Sequence, residues 1–334
     1  MPGFSRAKAR HYVACDPGST ARAYAFASAL VIQCALAGCA PQAPPDPAGL
    51  LNAAREGDAP RVEALLKAGA GADVADRNGF TPLMIASGGG HTAIVGALLD
   101  HAANVNAASG LGVTALHMAA QEGRAAAVGA LLGRGADVNA ARRDGGTALM
   151  LACQEGHAAV AGLLLAAGAD ANARDSADRL TALIIAAQRG SADLVDALLA
   201  HGAGPDTQDA FGWTALMKAA DGGHRPVFDA LLGAGARVDL SASDGATALY
   251  LAARSGHADL LPPLLLEGAD PNSPRHEPVI LASLKGHVRV VELLVQAGAD
   301  VHARHTNGMT PLQAATQGGH DAIVRLLRNA GARQ

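Results

Sequence analysis

Thr147-Ala148-Leu149-Met150-Leu151-Ala152-Cys153-Gln154-Glu155-Gly156-His157, closed by Gly168-Ala169-Asp170-Ala171-Asn172-Ala173, is the stretch that decides the architecture. The Thr147 oxygen can cap a helix, and the small Ala152 and Cys153 keep one face of that helix flat enough for a neighbour to approach closely. Gly156 supplies a left-handed stop. A second, Leu-rich helix ends at Gly168, and Asp170 and Asn172 turn the chain back. A unit of two short helices and a turn cannot bury a core by itself, so it must stack on copies of itself.

Those copies are present. Starts at Thr81, Thr114, Thr147, Thr181, Thr214, Thr247 and Thr310 are separated by 33, 33, 34, 33, 33 and 63 residues. An eighth start at Glu277-Pro278-Val279-Ile280 splits the long step into 30 and 33. Pro82 and Pro311 stand at the first helical position, where a missing N–H costs nothing. Ala119-Ala120, Ala186-Ala187 and Ala252-Ala253 repeat the flat face, and Gly123 and Gly190 repeat the stop. In the second helices, Leu194, Val195, Leu198 and Leu199 mark one buried stripe. Asp137-Val138-Asn139 and Asp144-Gly145 make the turn of a finger.

With this period and Thr-(Pro/Ala)-Leu at each start, the chain resembles the ankyrin-repeat family over almost everything after residue 47. The resemblance implies an all-α solenoid of helix-turn-helix units with β-hairpin fingers. The repeat domain spans 48–334, in units 48–80, 81–113, 114–146, 147–180, 181–213, 214–246, 247–276, 277–309 and 310–334. The first keeps Glu56-Gly57-Asp58 and Val62-Glu63-Ala64-Leu65-Leu66 without the Thr start, as an N-terminal cap would. The last carries polar Arg325, Arg328 and Asn329 on its second helix, as a C-terminal cap would. Pro262-Pro263 and the shortened finger after them make 258–276 the expected weak seam of the stack.

Composition agrees with thin helices packed through Ala and Leu, since half the residues are apolar yet only 3% are aromatic. Net charge is −4 overall and −7 beyond residue 38, where 22 basic face 29 acidic residues. No clustered basic surface is left to neutralise phosphates, which disfavours a nucleic-acid role.

Residues 1–38 read differently. Arg6, Lys8, Arg10 and Arg22 precede an apolar stretch from Ala23 to Ala37 and then Leu36-Ala37-Gly38-Cys39. This resembles a bacterial lipoprotein signal peptide, which implies cleavage before Cys39 and lipid on its thiol. The run, interrupted by Gln33, is too short for a comfortable membrane span. Ile32-Gln33 before Cys34 lacks the small residues of such a cleavage site. Residues 39–47, with Pro41, Pro44, Pro45 and Pro47, read as a Pro-rich linker. Ala40 after Cys39 implies the outer membrane of a two-membrane cell, facing the periplasm. The alternative reading is a disordered leader on a cytosolic repeat protein.

Chemistry is sparse. Cys153 replaces a small Ala and reads as core. His91, His157, His224, His257, His287 and His320 each follow the helix-ending Gly, where the family uses His to bond across units, and His117 in Thr-Ala-Leu-His is likewise structural. His276, His302 and His305 are the unrepeated cluster, a weak metal candidate with no fixed Cys or carboxylate beside it. Gly88-Gly89-Gly90 falls at a helix-to-helix turn and reads as a flexible connector, not a phosphate loop. No Gly-x-Ser-x-Gly, Walker-type or His-Glu-x-x-His sequence occurs. Hence the expectation of no catalytic residue, no metal and no cofactor.

Function should then lie where the repeat leaves residues free. Those positions hold Phe80, Arg179, Gln188, Arg189, Phe211, Trp213, Lys218, Asp221, Tyr250 and Arg254. Aromatic and Arg side chains dominate binding hot spots, so a monomeric module binding a protein partner through its concave face is the leading reading. Phe80 and Trp213, each before a Thr, could instead pack a finger against the next helix. An immunity or inhibitor protein, an accessory partner of an envelope stress-defence enzyme such as catalase, and a metal enzyme built on the three histidines are the alternatives.

Overall fold

A computed structural model describes residues 47–272 and 277–333. The leader, Cys39 and the linker before Pro47 lie outside the described residues, as does His276. Eighteen α-helices follow one another in pairs, with no named strand among the described residues. The pairs are α1 (Pro47–Glu56) with α2 (Ala59–Lys67), α3 (Pro82–Gly89) with α4 (Thr92–Asp100), α5 (Ala115–Gln121) with α6 (Ala125–Leu132), and α7 (Ala148–Glu155) with α8 (Ala158–Ala166). They continue as α9 (Ala182–Arg189) with α10 (Ala192–Ala200), α11 (Ala215–Gly222) with α12 (Arg225–Gly233), and α13 (Ala248–Ser255) with α14 (Leu261–Leu266). The last are α15 (Pro278–Lys285) with α16 (Val288–Gln296) and α17 (Pro311–Gln317) with α18 (Asp321–Asn329).

Each first helix starts for the reason its sequence states. All seven repeat threonines accept the backbone N–H three residues on, from Met84, His117, Met150, Ile184, Met217, Tyr250 and Gln313. Glu277 makes no such bond, and Pro278 at the first position presets the helix instead. First helices pack on first helices through Ala119, Ala120, Ala186, Ala187, Ala252 and Ala253, all fully buried. Second helices contribute Leu194, Val195 and Leu198 to the same continuous core, with Leu199 half-buried at its edge.

The units are locked by polar bonds as well. His157, His224, His257, His287 and His320 point Nε2 at the carbonyls of Gln121, Gln188, Asp221, Arg254 and Leu284 in the preceding unit, at 3.0–3.2 Å. The ring lies on the preceding unit's helix-ending Gly: at Gly190 (φ +77°) a Cβ would sit 2.5 Å from His224. On the far side, Asn106, Asn139 and Asn172 accept the N–H of Asp137, Asp170 and Gly204 at 2.8 Å. The Gly-Ala-Asp-x-Asn spelling is thus a second ladder between neighbours.

Two expectations need correction. Among the described residues the fingers are shorter than β-hairpins: they close on bonds such as Asp209 N–H to Trp213 C=O (2.9 Å) around a tight turn, with isolated bridges only at Ala141–Thr147 and Ser241–Thr247. The closing bonds span only five or six residues, as in 209–213 and 175–180, which leaves no room for a longer ladder inside them. Besides the Asn ladder, neighbouring fingers are tied by single backbone–backbone bonds, as from Arg143 N–H to Leu111 C=O (3.0 Å) and Ser243 N–H to Phe211 C=O (2.8 Å). Gly88-Gly89-Gly90 is also no loose connector. Gly88 and Gly89 end α3, and a Cβ at Gly89 would lie 2.7 Å from the His91 ring. They are small because a neighbour occupies the space.

Candidate functional site

The candidate residues fall on fingers and first helices, but they are not equally free. Asp209 organises the central finger: its buried carboxylate accepts the N–H of Phe211 (2.9 Å) and of Trp213 (2.8 Å), and Lys218 Nζ lies 3.5 Å from it. The same ammonium sits 4.4 Å above the Trp213 ring. One unit on, Asp221 accepts bonds from Arg254 (2.7 Å) and Ser255 (3.0 Å), and the Arg254 guanidinium lies 5.7 Å from the Tyr250 ring. Partial burial pushes the Tyr250 phenol above its ordinary range. Two cation–π pairs therefore stand in adjacent units, each held by a carboxylate.

Phe211 is the open element of this cluster. It is 59% exposed at its finger tip, whereas Trp213 and Phe80 are half-buried against the core, as expected for an aromatic that packs a finger onto the next helix. Arg179 is exposed with φ +56°, a left-handed position rare for a side chain of this size. With Arg174, Asp206 and Gln208 it lines a cleft of about 580 Å³ beside the Phe211 finger.

Gln188 and Arg189 lie elsewhere, in a groove of about 460 Å³ with Leu151, Gln154, Leu180 and Ile185. Arg189 bonds the backbone carbonyls of Gln154 and Glu155 in the unit before. This is the bond that His makes in most other units. Ser191 occupies the His position here, and Arg189 supplies the missing donor from two residues earlier.

Among the finger tips, Leu111 escaped the sequence reading. Leu111 is 65% exposed at the tip before Gly112, as Phe211 is before Gly212. The corresponding tip residues Asn78, Asp144, Asp244 and Asn307 are all polar, so the apolar exceptions were legible as a column. Of the metal candidates, His305 Nδ1 lies 3.4 Å from Glu277, and no group of three or more potential ligands occurs among the described residues. Cys153 is fully buried, and desolvation pushes its thiol to about 12, well above reactive values. No described helix is long and apolar enough to cross a membrane.

Comparison with known proteins places this geometry. A model described as ankyrin repeats (3 copies) matches residues 50–142, 183–275 and 249–334, and a single ankyrin-repeat model matches 144–176. The ARF GTPase-activating protein Git of Drosophila melanogaster is 38% identical over 69 residues, 20% of this chain and 9% of that protein. A probable E3 ubiquitin-protein ligase, XBOS33, of Oryza sativa subsp. japonica is 43% identical over 56 residues, 17% of this chain and 10% of the other. Protein phosphatase 1 regulatory subunit 27 of Mus musculus is 45% identical over 51 residues, 15% of this chain and 33% of that subunit. The chain thus spans a third or less of the length of each of these relatives, and what they share with it is the repeat. Matched along nearly the whole of the described stack, the chain belongs to the ankyrin-repeat family.

Proposed function

We propose that this chain is a non-catalytic protein-binding module, held at a bacterial cell envelope by lipid on Cys39, whose partner docks over the finger tips centred on Phe211. The observation that carries the docking half is an aromatic ring 59% exposed at a finger tip where the other described units, Leu111 apart, carry polar residues, beside the Arg179 cleft. Large, rigid side chains of this kind lose little entropy on binding and bury much area. Asp209, bonded to the Phe211 and Trp213 backbone and faced by Lys218, stiffens the finger that carries Phe211, and Asp221, Arg254 and Tyr250 form a second braced cluster across the next two units. Relatedness over the repeat to a phosphatase regulatory subunit supports action through a partner rather than through chemistry of the chain's own.

The anchoring half is supported by the Leu36-Ala37-Gly38-Cys39 sequence and the Pro-rich stretch after it. Outer-membrane attachment, facing the periplasm, follows from Ala40. One experiment tests both halves: cross-linking and pull-down from native envelopes of wild type, Phe211→Ala and Cys39→Ala. Loss of a hot-spot ring typically costs about 2 kcal/mol or more, so the cross-linked partner should fall by roughly thirtyfold in Phe211→Ala. Cys39→Ala should leave the membrane fraction and the palmitate label behind. Undiminished capture by Phe211→Ala sinks the docking site, and unchanged fractionation of Cys39→Ala sinks the anchor.

A further inference from the structure

The first helices of units 81–213 carry a pattern that the finger-tip site does not use. Four residues after each capping Thr stand Ile85, Met118, Leu151 and Ile185, an apolar stripe in successive units that is half-buried except at the buried Leu151. Leu151 and Ile185 floor the groove of about 460 Å³. Lys218 ends the stripe in the next unit. Three residues beyond the stripe, Gln121, Gln154 and Gln188 are all exposed. Their backbone carbonyls hold the cross-unit bonds from His157, Arg189 and His224, so the main chain beneath each amide is fixed while the side chain extends outward.

A primary amide carries donor and acceptor together, which matches the C=O and N–H of one peptide group. Three such amides in a row read main chain rather than side chains. Packed helices lie about 9 Å apart. One turn of a polyproline-II helix is three residues and also about 9 Å, so every third residue returns to the same face in register with the units. A β-strand covers a similar distance in three residues but flips its side chains at odd steps, so it would present alternate faces to successive units.

Charge selects further. Within the groove Arg142 is turned onto Asp144, Arg189 onto backbone carbonyls, and Asp175 accepts the N–H of Asp178 and Leu180. Each of these charged groups is therefore hydrogen-bonded within the protein. The exposed Glu122 and Glu155 follow Gln121 and Gln154 directly in the chain, and neither carboxylate is in an ion pair with a described residue.

We infer that this face binds a polyproline-II segment of a partner protein, with an aliphatic or proline side chain on the stripe at every third residue and a Lys or Arg reaching Glu122 and Glu155. The inference rests on the protein-binding reading but uses a different surface from Phe211. It is tested with the full-length protein and three labelled twelve-residue peptides, by fluorescence anisotropy. One is Pro-rich with Leu at every third position and a central Arg; the second has the same composition with the Leu spacing shuffled; the third carries Glu for Arg. The first should bind roughly tenfold or more tighter than either of the others, and Gln154→Ala/Gln188→Ala should weaken it by about the same factor without moving the thermal melt, because two amide pairings are lost. Equal binding of the shuffled peptide, no saturable binding of any peptide, or an unaffected double variant overturns the proposal. Peptide binding that persists in Phe211→Ala supports a groove acting independently of the finger tips. Absent peptide binding alongside Phe211-dependent cross-linking overturns the groove alone.

Discussion

At the scale of single residues, His117 shows how the repeat turns a reactive side chain into a structural one. Its Nδ1 faces the Thr114 N–H (3.2 Å) and hydroxyl (2.8 Å), and its Nε2 faces the Gly146 carbonyl (3.2 Å). Burial holds its pKa below the ordinary 6.5. The folded chain therefore keeps the ring neutral while the unfolded chain takes up a proton, so the associated stability is whole above about pH 6.5 and declines as pH falls through and below it. The urea midpoint should drop between pH 7.5 and 5.5, and drop less in His117→Gln, which retains a capping side chain like Gln313 but cannot titrate. Parallel pH profiles for the two proteins would refute this. The Thr-Ala-Leu-His order made the capping role readable, because both partners lie within one turn. The Gly146 bond was not, since it crosses 29 residues of sequence. Arg189 was read as a binding residue for the same reason: the vacancy at Ser191 is visible in the repeat, but which side chain fills it depends on reach in three dimensions.

At the scale of elements, the departures from the period matter more than the period. Pro262 and Pro263 lack N–H donors, and the second helix of that unit starts as a 3-10 turn, Ala258–Leu260, before the six-residue α14. The other second helices run eight or nine residues. Leu266 at the end of α14 is 86% exposed, so the shortened helix also fails to bury its last Leu. A helix with fewer internal bonds and less buried area opens at lower free energy. Amides of 258–272 should therefore exchange fastest among second helices, by native-state hydrogen exchange. Uniform protection across the units from 214 to 309 would remove the seam. Here the sequence was informative because Pro acts through local covalent geometry. The fingers were less legible: Asp and Gly identify a turn, but whether extended pairing follows depends on how many residues the neighbouring finger leaves room to pair.

At the scale of the whole stack, each unit touches chiefly its neighbours, so cooperativity is only as strong as the weakest interface. The core runs without interruption from Leu50 to Ala332, yet the interface carried by α14 joins the units before 247 to those after 277 through its shortest helix. Trp213 is the single tryptophan and lies before that seam, whereas far-UV circular dichroism reports helices on both sides. Leu294, fully buried on α16, lies after it. Truncating a core Leu costs about 2–5 kcal/mol, enough to exceed the coupling across a weak interface. In Leu294→Ala, urea should melt the helices beyond residue 277 first, so the circular dichroism transition begins at lower denaturant than the Trp213 fluorescence transition. In Leu131→Ala, with its cavity on the Trp213 side of the seam, the order of the two probes should reverse or merge. Coincident transitions in Leu294→Ala would mean that coupling through the first helices α13 and α15 outweighs the defect in α14, and that the stack unfolds as one body despite its broken period.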